Sequence, residues 1–167
     1  LKDYRNLVSV VSQDVYMFNT SIRNNICMYK EIDDKIVMEV CENSGLSDFI
    51  SEVSLDYVVG QNGAMLSGGQ KQKIALARAL VQNSPIVIFD EATSNTDVYS
   101  EQQINGLLHT KLKEKTVIII THKQEILREA DQIILLKDGI VIGTGRYDDL
   151  IKSNVDFKDM INMAERY

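Results

Sequence analysis

The stretch LSGGQKQKIALARAL, Leu66 to Leu80, puts a serine and two adjacent glycines at the head of an otherwise strong helix pattern. Ser67 followed by Gln70 fits a capping box, in which the serine side chain accepts from an early amide and the glutamine reaches back. Capping accounts for Ser67 and Gln70 but not for Gly68 and Gly69, each of which costs about 0.5–1 kcal/mol relative to alanine inside an element. A glycine-bared helix N-terminus offers unpaired amides and partial positive charge, which suits an anion, most naturally a phosphate. On these residues alone, plain capping and phosphate binding both stand.

A second constellation, PIVIFDEATS from Pro85 onward, sets the adjacent carboxylates Asp90 and Glu91 at the carboxyl end of an apolar run, where open α/β sheets bind ligands. Neighbours on an extended chain point to opposite sides, so the pair can divide two tasks. Asp90 would face a Mg²⁺ ion and its waters, and Glu91 would polarise an attacking water. A helix N-cap by either carboxylate is the plainer alternative. In VIIITHK, Val117 to Lys123, His122 follows another apolar run and would stand on the same rim, in reach of a terminal phosphate. A surface histidine capping a strand end is its competing reading, and His109 reads as solvated.

These residues need a scaffold that delivers them to one edge. Leu7 to Val11, Pro85 to Asp90 and Thr116 to Thr121 are short, β-branched and continuous, as strands buried on both faces of a parallel sheet should be. Helical patterns alternate with them at Lys35 to Asn43, Gly69 to Val81, Ser100 to Leu112 and Gln124 to Glu129, which points to a mostly parallel α/β sheet. QIILLKDGIVIGTG places Asp138 and Gly139 between two apolar runs, a strong hairpin signal. One amphipathic helix from about Asp148 closes the chain, and the single proline, Pro85, sits at a strand entrance where its missing N–H does least harm.

Composition narrows the class. A chain of 167 residues with 44% hydrophobic content suits one domain with a real core. The formal net charge of -6 argues against a nucleic-acid surface but not against phosphate ligands, which backbone amides can hold. Cys27 and Cys41 lack any metal-type spacing and read as free thiols in a reducing compartment. There is no signal-peptide pattern, and no apolar run is long enough to cross a bilayer. A membrane role would have to come through a partner or a segment beyond these residues.

Taken together, the motifs resemble the nucleotide-binding domain of ABC transporters, whose signature is Leu-Ser-Gly-Gly-Gln, here Leu66 to Gln70. VVSQDVYMF resembles the Q-loop, with Gln13 as its glutamine. IVIFDE resembles Walker B with the catalytic glutamate, SNTD stands where the D-loop lies, and His122 matches the switch histidine. The segment VYMFNTSIRNNI is similar to the LFxxTIxxNI pattern of exporters, and VVGQNGAMLSGGQ to the exporter segment ahead of the signature. Gln61 stands where a glutamate is usual, and Asn95 and Thr96 where alanine and leucine are commoner; Asp97 is retained.

The P-loop pattern GxxxxGK[ST] is absent from these residues. The resemblance therefore implies a P-loop NTPase-like α/β fold that is incomplete, without the P-loop strand and the N-terminal β-subdomain. It would carry a helical signature subdomain over about 14–80 and the Walker B and switch-histidine core with a C-terminal helix over 81–167. The expected consequence is a sheet with an unpaired internal edge, costly in buried backbone amides and filled by a symmetry mate, by rearranged strands or by local disorder.

The resemblance also implies a mechanism. Two domains, as a homodimer or heterodimer, meet head to tail and sandwich ATP, with Ser67, Gly68, Gly69 and Gln70 contacting the nucleotide held by the partner. Gln13 and Asp90 help hold Mg²⁺, Gln13 and Asp97 belong with the nucleotide contacts, Glu91 is the general base, and His122 stabilises the transferring phosphoryl group. The expected partner is a transmembrane domain, which places the domain on the cytoplasmic face of the membrane, and no nucleic acid is expected. The chain alone is expected to be inactive. Two alternatives remain on the sequence: a soluble ABC ATPase of the DNA-repair or chromosome-structure type, and a non-catalytic half-domain that acts as an interaction module.

Overall fold

The computed structural model describes residues 6–91 and 105–164. In order they form β1 (Val8–Ser12), α1 (Ile22–Cys27), α2 (Asp34–Asn43), α3 (Ser47–Val53), a 3-10 turn at Gln61–Gly63, α4 (Gly68–Gln82) and β2 (Ile86–Asp90). After a helical stretch over 105–109 come β3 (Thr116–Ile120), α5 (Gln124–Glu129), β4 (Ile133–Lys137), β5 (Ile140–Gly145), α6 (Tyr147–Ser153) and α7 (Val155–Ala164). The expected helix from Ser100 to Leu112 lies partly outside the described residues. The chain divides into two compact units, Leu1–Ile120 and Thr121–Tyr167.

In the first unit, β1, β2 and β3 form a parallel sheet in that order. The register aligns Val10 with Ile88 and Ile88 with Ile118, and at the carboxyl end Ser12 with Asp90 and Asp90 with Ile120. Val11, Val87 and Phe89 point to one face and pack with Ala75, Leu76 and Ala79 of α4 and with Leu107 and Leu112. The other face is open: Val10 is 54% exposed, Ile118 48% and Ile120 50%. The expectation of burial on both faces is thus corrected to burial on one. Unbroken apolar runs give both faces the chemistry for burial, but α4 and its neighbours reach only one of them. Among the described residues β3, like β1, is paired on a single side, so both edges of the three-stranded sheet are open.

A second core in the same unit joins α1 to α4 around Met17, Ile22, Ile26, Val37, Cys41, Leu46, Val59 and Ile74. Cys27 and Cys41 are free and lie within it, and burial pushes both thiols up, Cys41 to about 11. Thiols held protonated in this way are poor nucleophiles. Three pieces of this region, α1, α3 and the turn at Gln61–Gly63, are too short for periodicity to reveal.

In the second unit β4 and β5 pair antiparallel around Asp138 and Gly139, whose φ values of 52° and 77° suit a tight hairpin turn. Ile133 and Leu135 enter a core with Tyr147, Leu150, Phe157 and Ile161, while Ile134 and Leu136 face outward. The single closing helix of the sequence reading is two helices. Asn154 breaks it: its Oδ1 accepts from Phe157 N–H at 2.9 Å, capping α7, and its Nδ2 donates to Ile142 C=O at 3.0 Å. Among the described residues no helix is long and apolar enough to cross a membrane.

Candidate functional site

Ser67 takes an extended conformation (φ -68°, ψ 162°) ahead of α4, and the capping box is complete. Gln70 N–H donates to Ser67 Oγ at 3.2 Å, and Ser67 N–H donates to Gln70 Oε1 at 2.8 Å. The Gln70 oxygen is thus engaged in the cap, whereas the Ser67 hydroxyl, used as an acceptor, keeps its own proton for an outside oxygen. Among the described residues, and apart from the helix's own backbone, a Cβ built on Gly68 or Gly69 would meet nothing within 4 Å, and neither residue has a positive φ. Among the described residues, neither packing nor backbone geometry calls for glycine at these two positions.

Gly63, just upstream, is the opposite case. Its φ is 66°, and a Cβ there would sit 3.0 Å from both Met17 Cγ and Lys71 Cε. Here glycine is needed so that the lead-in to α4 can press against the segment that follows Gln13.

The sheet supplies the second part of the site. Gln13 follows β1 directly, and the register that aligns Ser12 with Asp90 brings Gln13, Asp90 and Glu91 to the carboxyl edge of adjacent strands. Gln13 and Asp90 are exposed. Glu91 donates its backbone N–H to Ile120 C=O at 3.1 Å and then turns with φ 47°, in the left-handed region. The strand alternation expected to separate the two carboxylates therefore stops at Asp90, and the turn at Glu91 sets that side chain's direction instead. A non-glycine residue in this region stores about 1–3 kcal/mol of strain, of the kind that gathers at functional sites. Gln13 and Tyr16 on one side and Asn62, Gly68, Lys71 and Gln72 on the other line a cleft of 440 Å³. One hollow thus joins the segment after β1 to the start of α4.

His122 is exposed and belongs to the second unit, where Thr121 Oγ1 accepts from Lys123 N–H at 3.1 Å at the start of α5. Asp97 lies outside the described residues, and His109 is exposed as expected. Among the described residues no group of three or more His, Cys, Asp or Glu could hold a metal ion by itself. Gln13 and Asp90 are hard oxygen donors of the type Mg²⁺ accepts when phosphates and waters complete its shell.

The ABC transporter family matches residues 1–94 of this sequence. The chain belongs to that family. Over 156 residues it is 39% identical to the ATP-dependent lipid A-core flippase of Escherichia coli (strain K12) and, at the same identity, to that of Shigella flexneri. Each alignment covers 91% of this chain and 27% of the relative, so the chain spans about a quarter of the length of the curated relatives it matches. The structure of a bacterial Atm1-family ABC exporter with ATP bound superposes with a TM-score of 0.91 at 31% identity, over 98% of this chain and 29% of that one. The incomplete α/β fold is accordingly part of an ABC nucleotide-binding domain.

Two residues of this ABC domain escaped the motif reading. Asn25 is fully buried at the heart of the first unit, and Arg78 of α4 reaches across to it, with Arg78 Nε donating to Asn25 C=O at 2.8 Å. The signal for Arg78 was its place in IALARAL, where a cation interrupts the apolar face of a helix. Asn25 gave none beyond its position in the exporter-like NNI, because a satisfied buried amide looks like any polar residue in sequence.

Proposed function

We propose that this chain is part of the ATP-binding and ATP-hydrolysing domain of an ABC exporter, driving transport by head-to-tail dimerisation on ATP. The observation that carries the reading is the open space beside Gly68 and Gly69, where, among the described residues and apart from the helix's own backbone, nothing lies within 4 Å of an added Cβ. Glycines that the chain does not need for its own packing are explained by a ligand arriving from outside, here the nucleotide held by a second domain.

In this account the Ser67 hydroxyl and the amides of Gly68 and Gly69 donate to the γ-phosphate, on a helix terminus whose dipole favours the anion. Gln70 acts by holding Ser67 through the cap. Glu91 accepts a proton from the water that attacks the γ-phosphorus, and His122 donates to the phosphoryl oxygens. Asp97 contributes from the D-loop. Gln13 and Asp90 would hold Mg²⁺, which when bound neutralises charge on the β- and γ-phosphates. The partners are a second nucleotide-binding domain and a transmembrane domain, at the cytoplasmic face of the membrane. The division into a helical part over about 14–80 and a Walker B core over 81–167 belongs to the same reading.

The phosphate cradle with its lysine is not among these residues, so the chain alone should neither bind nor turn over ATP. The open face at Val10, Ile118 and Ile120 and the single-sided pairing of β3 support a domain that further chain completes. Calorimetric titration of the chain with Mg-ATP, followed by phosphate release from the same sample, tests this. The expected result is no saturable binding and no release. Saturable binding with turnover abolished by Glu91→Gln would mean that the cradle is dispensable and that the site is built differently.

A further inference from the structure

Three segments of the first unit are tied together by polar groups, one of which, Tyr16, also lines the cleft shared by Gln13 and Gly68. Asn25 Oδ1 accepts from Phe18 N–H at 2.9 Å, while its Nδ2 donates to Phe18 C=O at 3.0 Å and to Ser21 C=O at 3.1 Å. The buried amide serves Phe18 as a neighbouring strand would, and pins the segment that follows Gln13. Arg78 completes the tie from α4, about three helical turns beyond Ser67. Its Nε donates to Asn25 C=O at 2.8 Å, and Nη1 and Nη2 each reach Tyr16 C=O at 3.3 Å. Met17, between these anchors, is 1% exposed and is the residue against which Gly63 presses.

Among the described residues none of the Arg78 acceptors is a carboxylate, and burial pushes its guanidinium below the ordinary arginine range. A half-buried cation on neutral oxygens is a poor device for stability alone, since an apolar side chain of similar length fills such a space without the desolvation penalty. What the guanidinium supplies is a planar fork whose donors are fixed relative to one another, here spanning two chain segments at once.

We propose that Arg78 is a positioning residue: it locks α4 to the Tyr16–Asn25 segment, so that Ser67 at the head of the helix and Gln13 at the end of β1 are held at one setting. The proposal rests on the reading of Ser67 and Gln13 as nucleotide contacts. In a head-to-tail dimer these two residues of one chain serve different nucleotides, so the lock ties the geometry of one site to that of the other. Lysine keeps the charge but has a single nitrogen, which cannot meet both the Asn25 and Tyr16 carbonyls in the same way. Methionine keeps the stem and removes the donors.

The test uses the full-length protein with Arg78→Lys, Arg78→Met and Ser67→Ala singly, and each Arg78 substitution combined with Ser67→Ala. Steady-state ATP turnover is measured across Mg-ATP concentrations, at a temperature where thermal melting shows each variant folded; Arg78→Met serves if Arg78→Lys melts too low. Either Arg78 substitution should lower kcat about tenfold with KM for ATP changed less than about twofold, the mark of an interaction used after binding. Ser67→Ala keeps the Gly68 and Gly69 amides and therefore measurable turnover. In that background the same Arg78 substitution should lower kcat clearly less than tenfold further, because one of the contacts it positions is already gone while Gln13 and the glycine amides remain. An equal loss in both backgrounds, or wild-type kcat in both Arg78 variants, overturns the proposal. Wild-type turnover in Ser67→Ala alone overturns instead the reading of the α4 terminus as a phosphate contact, and the proposal falls with it.

Discussion

The head of α4 and the carboxyl edge of the three-stranded sheet are built to opposite plans. At α4 everything is local: the capping box closes within Ser67 to Gln70, and no backbone angle is unusual. At the sheet edge Gln13 and Asp90 come from distant parts of the chain and reach the same edge only because β1 and β2 pair in one register. Glu91 beside them holds a left-handed backbone that β3 helps to fix through Ile120. The cap of a locally encoded terminus tolerates damage elsewhere in the fold, although its setting relative to Gln13 depends on the Arg78 tie. An edge assembled by register does not.

The largest expected effect falls on the edge. Glu91→Gln in the full-length protein should lower ATP turnover by on the order of 10² to 10⁴ while leaving ATP binding intact, the size of a general-base contribution. Phosphate release paired with calorimetry reads both, and unchanged release would take Glu91 out of the role. Next is Phe89→Ala, which removes a side chain only 1% exposed from the core beneath that edge and should destabilise by about 3–5 kcal/mol. Hydrogen exchange would then show the Glu91 amide opening sooner while the Gln70 amide stays protected; if both open together, the contrast between local and assembled sites is wrong.

Ser67→Ala reverses the pattern at smaller scale. It should destabilise by about 1 kcal/mol through loss of the cap, with faster exchange at Gln70 and none of the change at Glu91. The smallest effect on stability, and the sharpest on meaning, belongs to Gly69→Ala. With nothing among the described residues outside the helix's own backbone within 4 Å of the new methyl, melting should be unchanged or raised by the equivalent of about 0.5 kcal/mol, yet turnover of the full-length protein should fall. A variant as active as wild type would return Gly69 to plain helix capping.

The same contrast explains what could be read without the structure. Ser67, Gln70 and the Asp138–Gly139 hairpin are short-range features, and their residue types state their geometry. The three strands were legible from their apolar runs, and so was the placing of Asp90 and Glu91 at the carboxyl end of one of them, whereas Gln13 was named only through the family resemblance. Three things were not. The open sheet face was hidden because Val10, Ile118 and Ile120 carry the chemistry of burial whether or not anything covers them. The turn at Glu91 was hidden because a carboxylate gives no sign of a left-handed backbone. The Asn25–Arg78 tie was hidden because its partners are backbone carbonyls, which sequence does not display.

The single-sided pairing of β3 bears on how this chain behaves in a test tube. A strand of threonine, valine and isoleucines with one row of open N–H and C=O groups is a template for another copy of itself, and half-exposed Ile118 and Ile120 add an adhesive face. Lys115 immediately before the strand and Lys123 soon after it are the charges that oppose such stacking, so turbidity of the purified chain should rise with salt and with concentration. Storage at low ionic strength and low concentration follows from the shape of one strand.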